Sequence, residues 1–374
     1  MSQGFKLGGP SSCDNPVTAA PAFGLSFAFQ KPETVAPSFT SASVSTSSSV
    51  SSVVSSSAQT PETVTVPQFS LGRTHQPNTR SPRLHSRQSL DRASTMLENE
   101  WRKMEWGEEA REKLLESVRS FKPASESVSE ARILLIGPVG AGKSSFISSV
   151  QSVFSGRVIN RAMVGSSSST SFTKKLRSFN ITGSGEKADE PMALVLCDVM
   201  GVGEGESTGL TLHDALSVIK GHTPEGHQFS PDQPVGVETE GFIRSPRTKD
   251  KVHCVVFVVD GSKVGSYAKS FGTTFQHLRE HISSLGVHQV ALVTHADQVC
   301  KATGSDISQV YRSLTLQQTI EKAGALLGMA TSYIVPVKNY SSELDVDEST
   351  DILLLRAVDH ILQYANLYFL DNSD

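Results

Sequence analysis

The chain has 374 residues, 37% of them hydrophobic and 19% charged, both low for a fully globular chain, so some segment must lack core-forming residues. Lysine and arginine total 34 against 38 aspartates and glutamates, a net charge of −4 that removes any general reason to expect a nucleic-acid coat or an anionic membrane surface. Four scattered cysteines, Cys13, Cys197, Cys254 and Cys300, form neither a CxxC pair nor a metal-ligand spacing, which speaks against a disulfide framework or a structural zinc site.

The missing hydrophobicity belongs to residues 1–95. Eleven of the 20 residues from Ser41 to Thr60 are serine, and prolines recur from Pro10 to Pro82; such a stretch cannot bury enough apolar surface to offset ordering entropy and reads as a disordered tail. Arginines among Ser81, Ser86 and Ser89 read as a solvated basic linker, with a phosphorylation-controlled arm as the alternative. The opening MSQGFKLGG has no secretory apolar stretch, the ending LDNSD has no prenylation box, and the apolar run Cys254 to Val259 is far too short to cross a bilayer. The expectation is a soluble, cytoplasmic protein without a membrane span.

Residues 96–122 read as an amphipathic lead-in helix, because Trp106, Ala110, Leu114, Val118 and Phe121 recur at spacings of four, four, four and three. Such a helix packs on the domain that follows, with homodimerisation through it as the alternative. From 130 to 370 strands and helices alternate. Strands are expected at Arg132 to Gly137, Leu176 to Ile181, Met192 to Asp198, Val252 to Asp260, Val287 to Thr294 and Tyr333 to Val337. Helices are expected at Gly142 to Phe154, Leu210 to Lys220, Phe271 to Ser284, Ile307 to Leu327 and Asp351 to Phe369. Near-continuous apolar strands separated by helices predict an α/β fold, a mostly parallel sheet with helices on both faces. The irregular stretch Gly221 to Asp250 is too long for an ordinary connection and is either functional or mobile.

The chemistry is concentrated in three segments. In ARILLIGPVGAGKSSF, Gly137 is followed after four residues by Gly142, Lys143 and Ser144, after a strand and opening a helix, as a phosphate-binding loop requires. Gly137, Gly140, Ala141 and Gly142 turn backbone N–H groups toward phosphate oxygens, Lys143 reaches the β- and γ-phosphates, Ser144 ligates Mg²⁺, and Ser145 is a further nucleotide-binding candidate at the helix start. In LVLCDVMG, Asp198 ends a strand 55 residues after Lys143 and Gly201 follows it; Asp198 is the second magnesium candidate and Gly201 a candidate γ-phosphate sensor. In VALVTHAD, Thr294, His295 and Asp297 end a further strand, where a carboxylate can accept from the N1–H and exocyclic amine of guanine, donors that adenine lacks. A bland reading of Asp297 as a helix cap stays open. Asn339, after the last strand, is a candidate for the other side of the base. Within GSSSSTSFTKK, Thr170 is the first candidate for a third magnesium ligand and γ-phosphate sensor, and Thr173 the second.

SVSEARILLIGPVGAGKSSF, LCDVMG, HQFSP…FIRSP…KDKVHCVVFVVD, VALVTHAD, NYSSELD and the lead-in ENEWRKMEWGEEAREKLLESV together resemble the interferon-induced protein 44 and 44-like family, from about Glu98 to Leu370. The resemblance implies a cytoplasmic, interferon-induced GTP-binding protein of the antiviral response with a Ras-like P-loop NTPase domain, using GTP/GDP and Mg²⁺. It leaves protein effectors unidentified. Many Ras-like enzymes place a water-orienting glutamine directly after the DxxG glycine; here that residue is Val202, so the expected activity is a guanine-nucleotide switch with slow or partner-assisted hydrolysis. A non-enzymatic adaptor that keeps nucleotide structurally and an ATP-using P-loop enzyme are the competing readings.

Overall fold

The computed structural model describes residues 95–162, 173–183, 191–203 and 209–372. Apart from Thr95, the Ser/Pro-rich stretch 1–95 lies outside them, and so does Thr170. Six strands form one sheet: β1 (Ala131–Ile136), β2 (Arg177–Thr182), β3 (Pro191–Asp198), β4 (Cys254–Asp260), β5 (His288–Thr294) and β6 (Ile334–Pro336). They lie in the order β2-β3-β1-β4-β5-β6, all parallel except β2, which runs antiparallel to β3. The apolar run CVVFVVD becomes β4, buried at all seven positions, as a strand covered on both faces must be. β2 (RSFNIT) sits at the edge, and only Ile181 within it is buried. The chain steps from β1 to β3 on one side and β4 on the other, so a crevice opens at the carboxyl ends of these strands.

Helices α1 (Glu108–Arg119), α2 (Lys143–Ser155), α3 (Leu212–Ile219), α4 (Lys269–Ser284), α5 (Ala296–Val299), α6 (Lys301–Ser305), α7 (Leu314–Leu327) and α8 (Glu348–Asp371) complete the domain. α8 packs on β1, β4, β5 and α2, while α4 and α7 pack on each other and on β5 and β6 respectively. α1 lies chiefly on α8.

Two helices differ from their sequence reading. The lead-in is helical only over 108–119 because Gly107, at φ +101, breaks the backbone in front of it. Residues 95–106 instead run against the segment before α7: Leu97 N donates to Arg312 O (2.8 Å), Trp101 N to Tyr311 O (2.9 Å), and the Trp101 and Tyr311 rings meet edge to face at 5.0 Å. The buried face of α1 is Ala110, Leu115 and Val118, and Trp106 packs in a separate cluster with Tyr311 and Leu353. The expected helix Ile307 to Leu327 is divided into a 3-10 turn, Ile307–Arg312, and α7. Ser313 starts α7 anew, its Oγ accepting from Leu316 N at 3.1 Å, an N-cap that the sequence does display.

Candidate functional site

The phosphate-loop segment turns from β1 into α2 through two left-handed glycines, Gly140 (φ +75) and Gly142 (φ +89), a conformation that costs other residues about 1–2 kcal/mol. Gly137 is required for space: a Cβ there would run into the Val258 carbonyl of β4. α2 has no side-chain N-cap, so its first N–H groups stay available at the positive end of the helix. Lys143, the first residue of α2, is buried and donates from Nζ to Gly137 O and Pro138 O, both at 2.9 Å. Burial lowers its pKa to about 8, against the opposing pull of Asp198.

β3 pairs with β1 so that Leu135 faces Asp198, which sets the Asp198 carboxylate beside the loop. Its Oδ2 accepts from Ser144 Oγ at 2.5 Å and from Thr173 Oγ1 at 3.1 Å, and the two hydroxyl oxygens are 3.3 Å apart. Its Oδ1 is buried with no hydrogen-bond partner. Burial raises the Asp198 pKa more than Lys143, Ser144 and Thr173 lower it. A buried carboxyl oxygen left without a full hydrogen-bond partner is costly, and a cation at this corner would meet two hydroxyls and a carboxylate. The donor set is hard oxygen, which suits Mg²⁺. Thr170 lies outside the described residues; Thr173 stands in this corner, because the antiparallel pairing of β2 with β3 (Arg177 opposite Asp198) brings the residues before β2 to the end of β3.

Three further loops close on the phosphate loop. Val202 N donates to Gly137 O at 3.0 Å, and Gly201 lies so near Val139 that a Cβ would come within 2.7 Å of its side chain. The Val202 side chain itself is buried. Thr294 Oγ1 is 2.8 Å from Ala141 O and 3.1 Å from Val259 O, donating to one at a time. Asn339 Nδ2 donates to Gly142 O at 3.2 Å, leaving its Oδ1 buried without a partner. His295, at φ 55, is the one non-glycine left-handed residue among the described residues, a conformation that clusters at functional sites. Asp297 lies half-buried on α5, which follows directly from the carboxyl end of β5. Ser145 follows on the first turn of α2, its carbonyl accepting from Ser149 Oγ at 2.8 Å.

Asp260 escaped the sequence reading. It ends β4 as Asp198 ends β3, accepts from Ser262 N and Oγ (3.0 and 2.6 Å), and pairs with His295 Nδ1 at 3.2 Å and Lys263 Nζ at 3.0 Å. Burial would raise its pKa, but the His295, Ser262 and Lys263 contacts override burial and hold the carboxyl well below its usual range. It thereby ties His295, at the start of α5, to the end of β4. The signal was available, since VVDGS repeats the strand-then-carboxylate pattern of LVLCD.

A phosphate loop after the first strand of a parallel sheet, a carboxylate at the end of the neighbouring strand and one antiparallel edge strand define a Ras-like P-loop NTPase domain. The chain is 35% identical over 263 residues to "Interferon-induced protein 44-like" of Homo sapiens and 34% identical over 258 residues to "Interferon-induced protein 44" of Mus musculus, covering 70% and 69% of this chain. Over that stretch it is a member of the interferon-induced protein 44 and 44-like family. The matches span only 58% and 60% of those relatives' own length. No protein-family model matches the chain. It superposes loosely on a probable GTP-binding protein engB (13% identity, TM-score 0.29, 56% of this chain and 88% of that one) and on the signal recognition particle receptor SRb-GTP/SRX complex from Chaetomium thermophilum (14%, 0.30, 58% and 94%); the fold rests on the strand order, not on these scores. Among the described residues, no helix is long and apolar enough to cross a membrane.

Proposed function

We propose that this chain is an interferon-inducible, cytoplasmic guanine-nucleotide switch of the antiviral response, with slow or partner-assisted hydrolysis. The observation that carries the reading is the corner where Ser144 and Thr173 both donate to one oxygen of a buried Asp198 whose other oxygen is unpartnered. In this reading Lys143 exchanges its two carbonyl partners for the β- and γ-phosphates, and the α2 N–H groups bind phosphate oxygens. Ser144 and Thr173 hold Mg²⁺, Asp198 orients it, and the Gly201 N–H meets the γ-phosphate. Bound Mg²⁺ supplies charge neutralisation between the phosphates. Asp297 selects guanine, flanked by His295 and Asn339, and Thr294 ties that loop to Ala141. Val202 offers no polar atom where a water-orienting group belongs, and its burial supports slow turnover.

Exchanging one base-reading atom tests guanine selection. In Asp297→Asn, an amide N–H replaces one acceptor and matches a base carrying a carbonyl where guanine carries its exocyclic amine. The wild-type chain should prefer guanosine diphosphate over xanthosine diphosphate, and Asp297→Asn should reverse that order. The same preference in both proteins would remove Asp297 from base recognition.

A further inference from the structure

Residues 221–250 have no role in the site as described. They leave α3 and return to β4 with their ends fastened together: Val252 N donates to Ile219 O at 3.1 Å, and Gly221, at φ +81, lies so close to Asp250 that a Cβ would come within 2.6 Å of its carbonyl oxygen. The segment folds on itself, with His222 and Ile243 exchanging hydrogen bonds of 2.8 and 3.0 Å and the His222 ring stacked on Phe242. Its middle then runs along the outer edge of the sheet. Leu176 N donates to His227 O (2.9 Å), Gly226 N to Leu176 O (3.0 Å) and Phe229 N to Lys174 O (2.9 Å), a short antiparallel lane that begins one residue after Thr173. Just ahead of it, the Glu225 carboxylate accepts both Ser178 N (2.7 Å) and Ser178 Oγ (2.6 Å), and Ser178 Oγ accepts in turn from Arg132 of β1 at 3.1 Å.

We infer that residues 225–229 are a strap that fixes the register of 174–178 and so holds the Thr173 hydroxyl on Asp198, making Glu225 a positioning residue for the metal corner. An edge strand without a neighbour leaves alternate N–H groups unpaired and opens easily. Two charge-assisted hydrogen bonds to one serine, next to three main-chain bonds, remove that freedom. The corner is therefore organised before nucleotide arrives, and binding has less ordering to offset. The longer segment that carries the strap is also tied back to α3, whose Asp214 accepts from Val235 N at 2.8 Å. The inference rests on the reading of Ser144, Thr173 and Asp198 as a cation corner.

The test uses the full chain as wild type, Glu225→Ala and Glu225→Gln, with Ser178→Ala as a milder variant should Glu225→Ala fail to fold. In nucleotide-free protein, hydrogen exchange of the Leu176 and Ser178 amides should accelerate in Glu225→Ala and return toward wild type in Glu225→Gln. Affinity for a non-hydrolysable GTP analogue in Mg²⁺ should fall about tenfold in Glu225→Ala, as loss of a positioning contact behind a metal ligand does, with Mg²⁺-free affinity unchanged. Wild-type protection and wild-type Mg²⁺-dependent affinity in Glu225→Ala would overturn the inference. Failure of the wild-type chain to bind guanine nucleotide would instead overturn the functional reading, and the exchange measurement would still decide the strap.

Discussion

An ammonium group buried against two main-chain carbonyls is expensive to keep charged, and Lys143 tolerates it because Asp198 stands behind the loop. Its lowered pKa, about 8, has a consequence for binding. Above that pH the free protein must take up a proton to present the cation to phosphate, so triphosphate affinity should fall about fivefold between pH 8 and pH 9. Calorimetry at several pH values checks this, and a flat profile would contradict it. Lys143→Ala should weaken triphosphate binding by about 2 kcal/mol or more, the scale of a charged hydrogen bond. His253 gives an independent pH effect on stability. Its Nδ1 accepts from Arg132 N at 2.9 Å, which places its proton on Nε2 for donation to Thr248 O at 3.0 Å. Burial, outweighing the Thr248 contact, lowers its pKa from 6.5 to about 4. The neutral ring's contribution is thus complete above pH 6.5 and is lost progressively as pH falls to about 4, on the order of 3 kcal/mol. Denaturant titrations of wild type and His253→Gln should converge at low pH if this is right, and run parallel if it is not.

Between elements, a chain of polar contacts joins the lead-in to the loop that carries Asn339. Arg111 of α1 donates from Nε to Asp351 Oδ2 at 2.9 Å, Tyr340 donates its hydroxyl to Asp351 Oδ1 at 2.7 Å, and Tyr340 N donates to Ser149 Oγ of α2 at 2.9 Å. Asp351 is fully buried, and its pKa is raised because burial outweighs the Tyr340 and Arg111 contacts. Arg111→Met would strip that carboxyl of its cation, leaving it the Tyr340 hydroxyl, and should cost about 3 kcal/mol by chemical denaturation, the low end for a broken buried pair. A loss under about 1 kcal/mol would place the pair among surface bridges. None of this was readable from the sequence, since Arg111 and Asp351 are 240 residues apart and periodicity carries no distant partner. The strands were legible because buried parallel strands are apolar throughout, and the phosphate loop was legible because its chemistry is local. The contact of Thr173 with Asp198 was not legible: Thr173 is one hydroxyl in a serine-rich run, and what brings it to Asp198 is the pairing of β2 with β3. The break at Ser313 was local and visible, but apolar periodicity continues through Ile307, Val310, Tyr311 and Leu314 and hides it.

For the molecule as a whole, the described loops after β1, β3, β5 and β6 meet at the carboxyl end of the sheet, and in the proposed reading the long segment between α3 and β4 braces the edge of that meeting point instead of adding a second site. The same arrangement leaves hydrolysis without a positioned polar group at residue 202, so single-turnover hydrolysis by the lone chain should be no faster than about 10⁻³ s⁻¹, the scale of unassisted Ras-type turnover. Rapid turnover would show that another residue orients the water. The central claim is that amides, Lys143 and the Ser144–Thr173–Asp198 corner enclose a guanine nucleotide with its metal. Calorimetric titration of the full chain with GTP, GDP and ATP, with and without Mg²⁺, measures it most directly. Tight binding of GTP and GDP, strengthened for GTP by Mg²⁺ and absent for ATP, is the predicted result; no heat with either guanine nucleotide, or equal binding of ATP, would contradict it.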